Sequence, residues 1–440
     1  MSAFAAWWNS LPIGLTDALW TIAVGATASV GCALLGCYLV LRRLSLLGDA
    51  ISHAILPGLV LGLLWTGTRN PLPMLLGAMA MGMATAFLTE LFERMGRVPA
   101  DSSMGVVFTS LFAAGVILIN LFASQIDMDP GCVLYGLIEF VVFDTVELGG
   151  LPVPRALLTM SVMLALVLVF IALLWKELKL CSFDPALASA MGLSAGLVHY
   201  LLMAMVATAT VASFEAVGSI LVIAMLIVPG ATAHLLTDRL GWMMALAAAV
   251  ALISAVAGYL GAHVWNTSVA GMMAVAAGVQ FALAALLAPR YGVLGRMLHN
   301  LSVGLRIARE DMLTLLWRRG ERGREPALAG GAIRELTGDG IVFRLALGGL
   351  RRRGLVRVDD GQVALTANGA RAAEEIIHAH RLWEVYMADE LERRPEAVHE
   401  AAHPMEHFLP PELARQIDEH LNHPRTDPHG SRIPRQGRIG

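Results

Sequence analysis

The chain has 440 residues, 56% hydrophobic and only 15% charged, and its 32 Lys and Arg against 35 Asp and Glu leave a net charge of −3. Soluble domains carry about 25% charged residues, so a wholly soluble protein is excluded, and the near-neutral balance offers no basic excess to mark a nucleic-acid binder. The charge is also unevenly placed: residues 1–290 are long apolar runs, whereas 300–440 are rich in Arg, Glu, Asp and His, which predicts two domains of different class.

A membrane-crossing helix needs about 20 apolar residues. Stretches of that kind lie at 16–41, 48–66, 72–93, 104–124, 155–175, 195–213, 216–236, 242–263 and 268–288. The first begins without a basic start and runs longer than a signal core, so it reads as a span and not as a cleavable leader. Residues 131–146, "GCVLYGLIEFVVFDTV", are apolar but short and read as an interfacial or re-entrant helix. The sixth and seventh stretches are parted only by "SFEA", which predicts a tight hairpin or a broken helix. The fold class is therefore an all-α polytopic membrane domain of about eight or nine helices, followed by a soluble domain.

Basic residues follow every odd-numbered stretch: Arg42 and Arg43, Arg94 and Arg97, Lys176 and Lys179, Arg239, then Arg290 and Arg296. Positive charge accumulates on the cytoplasmic side. This places the N-terminus outside and the C-terminal domain in the cytoplasm. Frequent glycines, as in "VGATASVGCALLGC", allow close helix approach and broken helices, which suits a transporter or a channel. Cys32, Cys37, Cys132 and Cys181 form no CxxC and read as small buried apolar residues.

In "LLGDAISHAILPG", Asp49 and His53 stand four apart, on one face of a helix. An ionisable pair at membrane depth is costly. By spacing alone it is either a helix-stabilising pair or part of a cation path. No Walker A sequence is present, and the only lysines, Lys176 and Lys179, follow no glycine-rich loop. The chain is therefore not expected to hydrolyse ATP.

Three segments, "GDAISHAILPGLVLG", "FDPALASAMGL" and "GSILVIAMLIVPGATAHLLT", resemble in order and spacing the signature regions of the ABC-3 family. These are permease subunits of ATP-driven importers of manganese, zinc or iron(II). The resemblance spans about residues 10–290 and implies a multi-pass protein of the bacterial cytoplasmic membrane. It assigns metal contact to Asp49 and His53. It likens the second segment, with Phe183, Asp184, Pro185, Ala188 and Gly192, to the coupling helix that seats in a groove of the ATPase. It further implies a separate ATPase subunit, an extracytoplasmic metal-binding protein, a second permease chain (the same or different) and surrounding lipid.

The tail predicts a linker or first cytoplasmic helix at 296–310, a winged-helix-like domain at 311–370 and a helical metal-binding and dimerisation domain at 371–440. "REDMLTLLWRRG" has helical spacing, "GGAIRELTGDGIVFRLALGGLRRRGLV" reads as two short helices, and "LVRVDDGQVALTANG" reads as a two-stranded wing with an Asp-Gly turn. A long amphipathic helix follows. Seven of the thirteen histidines fall between His378 and His423. His399, His403, Glu406 and His407 share one helical face, and His380 and Glu384 share another.

"HRLWEVYM", "VHEAAHPMEHFL" and "HPRTDPHGSRIP" resemble the diphtheria toxin repressor family of manganese- and iron-responsive regulators, over roughly 308–435. Matched position by position, Met312, His403, Glu406 and His407 fall on its primary metal site, and His380, Glu384 and His399 on its accessory site. The expected recognition helix opens on Ile341, Val342 and Phe343, read as exposed apolar residues, and Arg351, Arg352 and Arg353 read as a solvated edge. No DNA partner is expected. The sequence thus points to a divalent-metal permease, with Mn²⁺ favoured over Fe²⁺ or Zn²⁺ as substrate, whose tail takes the same class of ion as effector. The alternative is a membrane-anchored, metal-dependent DNA-binding regulator that no longer transports.

Overall fold

The computed structural model describes residues 12–66, 71–96, 99–122, 138–289, 291–321, 323, 327–329, 340–390 and 410–434. The chain divides into two compact units, 1–295 and 296–440.

The first unit is a helical assembly. Its helices are α1 (Ile13–Leu41), α2 (Ser45–Ala54), α3 (Leu56–Thr66), α4 (Pro71–Gly96) and α5 (Ala100–Phe122). After a short hairpin come α6 (Arg155–Leu173), α7 (Trp175–Phe183), α8 (Pro185–Ala190), α9 (Ala195–Val217), α10 (Ser219–Leu236), α11 (Leu240–Trp265) and α12 (Val269–Leu287). Among the described residues, eight helical stretches are long and apolar enough to cross a membrane, with α2 and α3 making one of them together. The 26-residue α4 stands where the sequence places its third span.

Helix α1 is central and packs against α6, α9, α10 and α11. Its crossing with α10 is so close that a Cβ at Gly36 would collide with the Leu226 carbonyl. Without a hydrophobic drive between helices in lipid, such backbone approach supplies the packing energy. Helices α5 and α6 are peripheral and expose Phe112, Ile117, Leu166 and Val169, the surface that lipid covers. Between α9 and α10 the chain breaks at Gly218, whose φ of +79° only glycine adopts cheaply.

Of the short apolar stretch at 131–146, residues 138–146 are described: a 3₁₀ turn at Ile138–Phe140 leads into β1 (Thr145–Leu148), which pairs antiparallel with β2 (Leu151–Pro154) beyond the stretch. Gly149 and Gly150 both take positive φ, at +63° and +86°, which is the two-residue hairpin turn that matches strand twist. Pro152 and Pro154 remove helical donors. Residues 131–137 lie outside the described residues.

The second unit opens with the 29-residue α13 (Val293–Glu321), followed by β3 (Ala327–Ala329), α14 (Gly340–Arg352), β4 (Val356–Asp359), β5 (Gln362–Leu365), α15 (Ala367–Asp389) and α16 (Pro411–His420). The wing is three-stranded, in the order β3-β5-β4. Asp360 and Gly361, with φ of +48° and +75°, turn β4 into β5. Ala308, Met312 and Leu316 of α13 recur every four residues and bury against Phe343, Ala346 and Leu350 of α14. Phe343 is therefore core, not exposed surface, whereas Ile341 does face outward. The first of the two expected short helices, at 330–339, lies outside the described residues.

Candidate functional site

In the membrane unit, α2 carries Asp49 and His53 and ends at Ala54. The chain turns at Ile55 and resumes as α3, with Pro57 in its first turn. Proline has no N–H to give, and the carbonyl an unbroken helix would offer it is that of His53. The interruption therefore falls directly after the pair. His53 Nε2 lies 3.4 Å from Asp49 Oδ1, and the two side chains are 36% and 39% exposed. The His53 ring is flanked by Phe108 and Phe112 of α5, with centroids at 5.9 and 5.8 Å. These rings hold the imidazole in place without competing for its nitrogens. One oxygen and one nitrogen ligand on an accessible face suit a borderline divalent cation, with further coordination supplied from elsewhere.

The segment at 183–192 is built as a small, firmly capped helix. The Asp184 carboxylate accepts the Leu187 N–H at 2.9 Å and Pro185 occupies the first helical position. Gly192, at φ +84°, turns the chain away, and the Leu193 N–H closes on the Ala188 carbonyl at 3.0 Å. Ala188 is buried and seats the helix on the unit. Phe183, Leu187 and Met191 stand out at 55%, 47% and 66% exposure, so this short helix presents an apolar face.

In the second unit, α15 starts from Thr366, whose hydroxyl accepts the Gly369 N–H at 3.1 Å. It carries four buried polar residues: His378, His380, Arg381 and Glu384. His380 Nε2 lies 3.0 Å from Glu384 Oε1, both almost fully buried. Arg381 is gripped from three sides. Its Nη1 and Nη2 donate to Glu321 at 3.0 and 2.7 Å, its Nη1 also donates to the Arg432 carbonyl, and its Nε lies 3.5 Å from Asp427 Oδ2. Its guanidinium also sits over the Trp317 ring at 5.5 Å.

A cavity of about 490 Å³ opens beside His380 and Glu384, lined also by Arg318, Asp427, His429 and Ser431. Asp427 shapes its rim by accepting the N–H groups of His429 and Ser431 at 2.9 and 2.7 Å.

Of the ligand residues expected in the tail, the structure brings His380 and Glu384 together. Met312 is fully buried in the core of α13 and α14. His399, His403, Glu406 and His407 lie outside the described residues, among which no group of three or more His, Cys, Asp and Glu is close enough to hold a metal ion. The Arg381 clasp and the approach of His429 went unread in the sequence. Their only signal was the run "TDPHGSRIP", some forty residues past the helix it folds onto.

The family model "ABC 3 transport family" matches residues 16–288, and the model "Iron dependent repressor, metal binding and dimerisation domain" matches residues 366–435. The manganese transport system membrane protein MntD of Bacillus subtilis is 45% identical over 285 residues, 64% of this chain and 96% of that protein. The zinc transport system membrane protein TroD of Treponema pallidum is 40% identical, over 63% of this chain and 76% of that protein. A second Bacillus subtilis protein, the manganese transport system membrane protein MntC, is 28% identical over 414 residues, 91% of this chain and 90% of its own length. Among solved structures, PsaBC from Streptococcus pneumoniae in complex with Fab superposes with a TM-score of 0.53 at 28% identity, covering 66% of this chain and 98% of that one.

Proposed function

The chain belongs to the ABC 3 transport family, and we propose that it is the permease subunit of an importer that carries a divalent transition metal across the bacterial cytoplasmic membrane. Mn²⁺ is the favoured substrate, then Fe²⁺ or Zn²⁺. The observation that carries the reading is the Asp49–His53 pair, exposed on one face of a span that breaks immediately after it. Two ligands from one chain hold an ion loosely enough to release it, and a second permease chain completes the coordination. In this reading the N-terminus lies outside and the tail in the cytoplasm, which the basic residues after alternate spans favour.

The energy comes from a separate ATPase, which seats on the apolar patch formed by Leu187 of α8 with the flanking Phe183 and Met191. An extracytoplasmic binding protein delivers the ion. The tail is the regulator. Its buried His380 and Glu384, beside a cavity that also takes in His429 and Asp427, are a donor set fit for a divalent ion. His399 joins this accessory site, and Met312, His403, Glu406 and His407 form the primary one. Bound metal organises the second unit and biases the transporter toward one conformation, which requires that the two conformations differ in metal affinity. The MntC relative, named for manganese transport, aligns through both units, which supports a tail that accompanies transport and does not replace it.

The test is uptake. The chain is reconstituted with its ATPase in vesicles, and ATP-dependent accumulation of Mn²⁺, Fe²⁺ and Zn²⁺ is measured. Accumulation of none of the three overturns the reading.

A further inference from the structure

Between the two functional segments of the membrane unit lies one polar contact that neither explains. Arg42 caps α1, with its N–H on the Tyr38 carbonyl at 3.0 Å. Arg43 follows at φ +59°, and the Leu44 N–H closes back on the Leu39 carbonyl at 2.8 Å. This is the tight helix-ending turn that usually takes glycine, here made by arginine. It leaves only three residues between α1 and α2. Movement of Arg42 therefore has little slack before it reaches the helix that carries Asp49 and His53.

On its other side Arg42 reaches α7. Its Nε donates to Ser182 Oγ at 3.0 Å, while that hydroxyl donates its own proton to the Leu178 carbonyl at 2.6 Å. The serine is thus oriented as an acceptor. Leu178 and Cys181 anchor α7 in the core, and Asp184, which caps α8, is two residues beyond Ser182. The Arg42 Nη2 is buried with no hydrogen-bond partner among the described residues. An unbonded buried donor costs free energy, so a rearrangement that gives Nη2 a partner is favoured.

We propose that Arg42 is a positioning residue that links the ATPase-coupling segment to the metal-bearing helix through its bond to Ser182. The proposal rests on the reading of α8 as the ATPase seat. A displacement of α8 moves α7, Ser182 moves Arg42, and the three-residue turn passes the displacement to α2. Neither residue belongs to the Asp49–His53 pair or to the exposed apolar side chains Phe183, Leu187 and Met191. Breaking the bond leaves ATPase binding and hydrolysis in place and uncouples hydrolysis from metal transport.

The experiment uses the full permease assembled with its ATPase in vesicles, with Mn²⁺ as the probe. Arg42→Gln and Ser182→Ala are each expected to retain copurification with the ATPase and near-normal ATP hydrolysis, while Mn²⁺ accumulated per ATP falls about tenfold. The double variant falls no further than Arg42→Gln alone, since partners in one bond are non-additive. Ser182→Thr keeps the acceptor oxygen and restores coupling. Unchanged stoichiometry in both single variants overturns the proposal. So does a parallel loss of copurification, hydrolysis and uptake, which marks a merely structural contact, and so does a Ser182→Thr that behaves like Ser182→Ala. A wild-type assembly that moves no metal overturns the transport reading itself, whereas wild-type transport with variants of normal stoichiometry overturns this proposal alone.

Discussion

Arg381 and Glu321 meet fork to fork, with Nη1 on one carboxylate oxygen at 3.0 Å and Nη2 on the other at 2.7 Å. The pair ties the long helix α15 to the end of α13, and Asp427 brings the loop after α16 into the same knot. Planar, paired contacts of this kind are specific to arginine.

Arg381→Ala should therefore loosen the second unit. Removing one partner strands the buried Asp427 carboxylate, at a cost of about 3 kcal/mol. Hydrogen exchange of the α15 amides should quicken by roughly a hundredfold if that unit opens as one piece. Arg381→Lys should recover only part of this, because an ammonium cannot bridge both oxygens of Glu321 while reaching Asp427. Unchanged exchange in Arg381→Ala would show that the knot is ornamental.

Asp49→Ala and His53→Ala should each abolish metal uptake. Both side chains are partly exposed, so neither leaves a cavity, and membrane insertion and ATPase copurification should be those of the parent. Normal uptake by the double variant removes the pair from the metal path.

The apolar face of α8 predicts a crosslinking pattern. Cysteines placed at Leu187 or Met191, both exposed, should crosslink to the ATPase, whereas one at the buried Ala188 should not. Leu187→Glu should weaken copurification of the ATPase by burying an unpaired charge at the interface. Crosslinks obtained only from the hairpin at residues 145–154 would reverse the topology.

Metal should protect the tail by mass action. Mn²⁺, Fe²⁺ or Zn²⁺ that binds the folded unit adds stability in proportion to the logarithm of its concentration over Kd. Proteolysis of the second unit in the intact chain should slow on adding metal. His380→Ala or Glu384→Gln should remove part of the protection, and His429→Ala should reduce it. Imidazole ligates in its neutral form, so protons compete with metal, and protection should weaken on acidification. Equal proteolysis with and without each metal, at neutral pH, would leave the histidine cluster without a role as ligands.

The membrane unit was largely legible in the sequence. Spans are specified by composition over about 20 residues at a time, so α1, α5, α6 and α9 to α12 appear close to their expected bounds. Spacing four apart was likewise enough to pair Asp49 with His53 and His380 with Glu384, because an α-helix converts that spacing into contact. The hairpin at 145–154 was not legible, since its four-residue strands are too short to carry a decisive period. Its turn depends on two glycines with positive φ.

What only the tertiary structure decided are the contacts between distant segments. Arg42 reaches Ser182 across 140 positions. Arg381 reaches Glu321 across 60. His429 lines the same cavity as His380, on a loop that Asp427 folds and pairs with Arg381. Local sequence sets which residues share a face. Which faces meet is set by packing of the whole unit, where close-packed side chains leave few alternative arrangements.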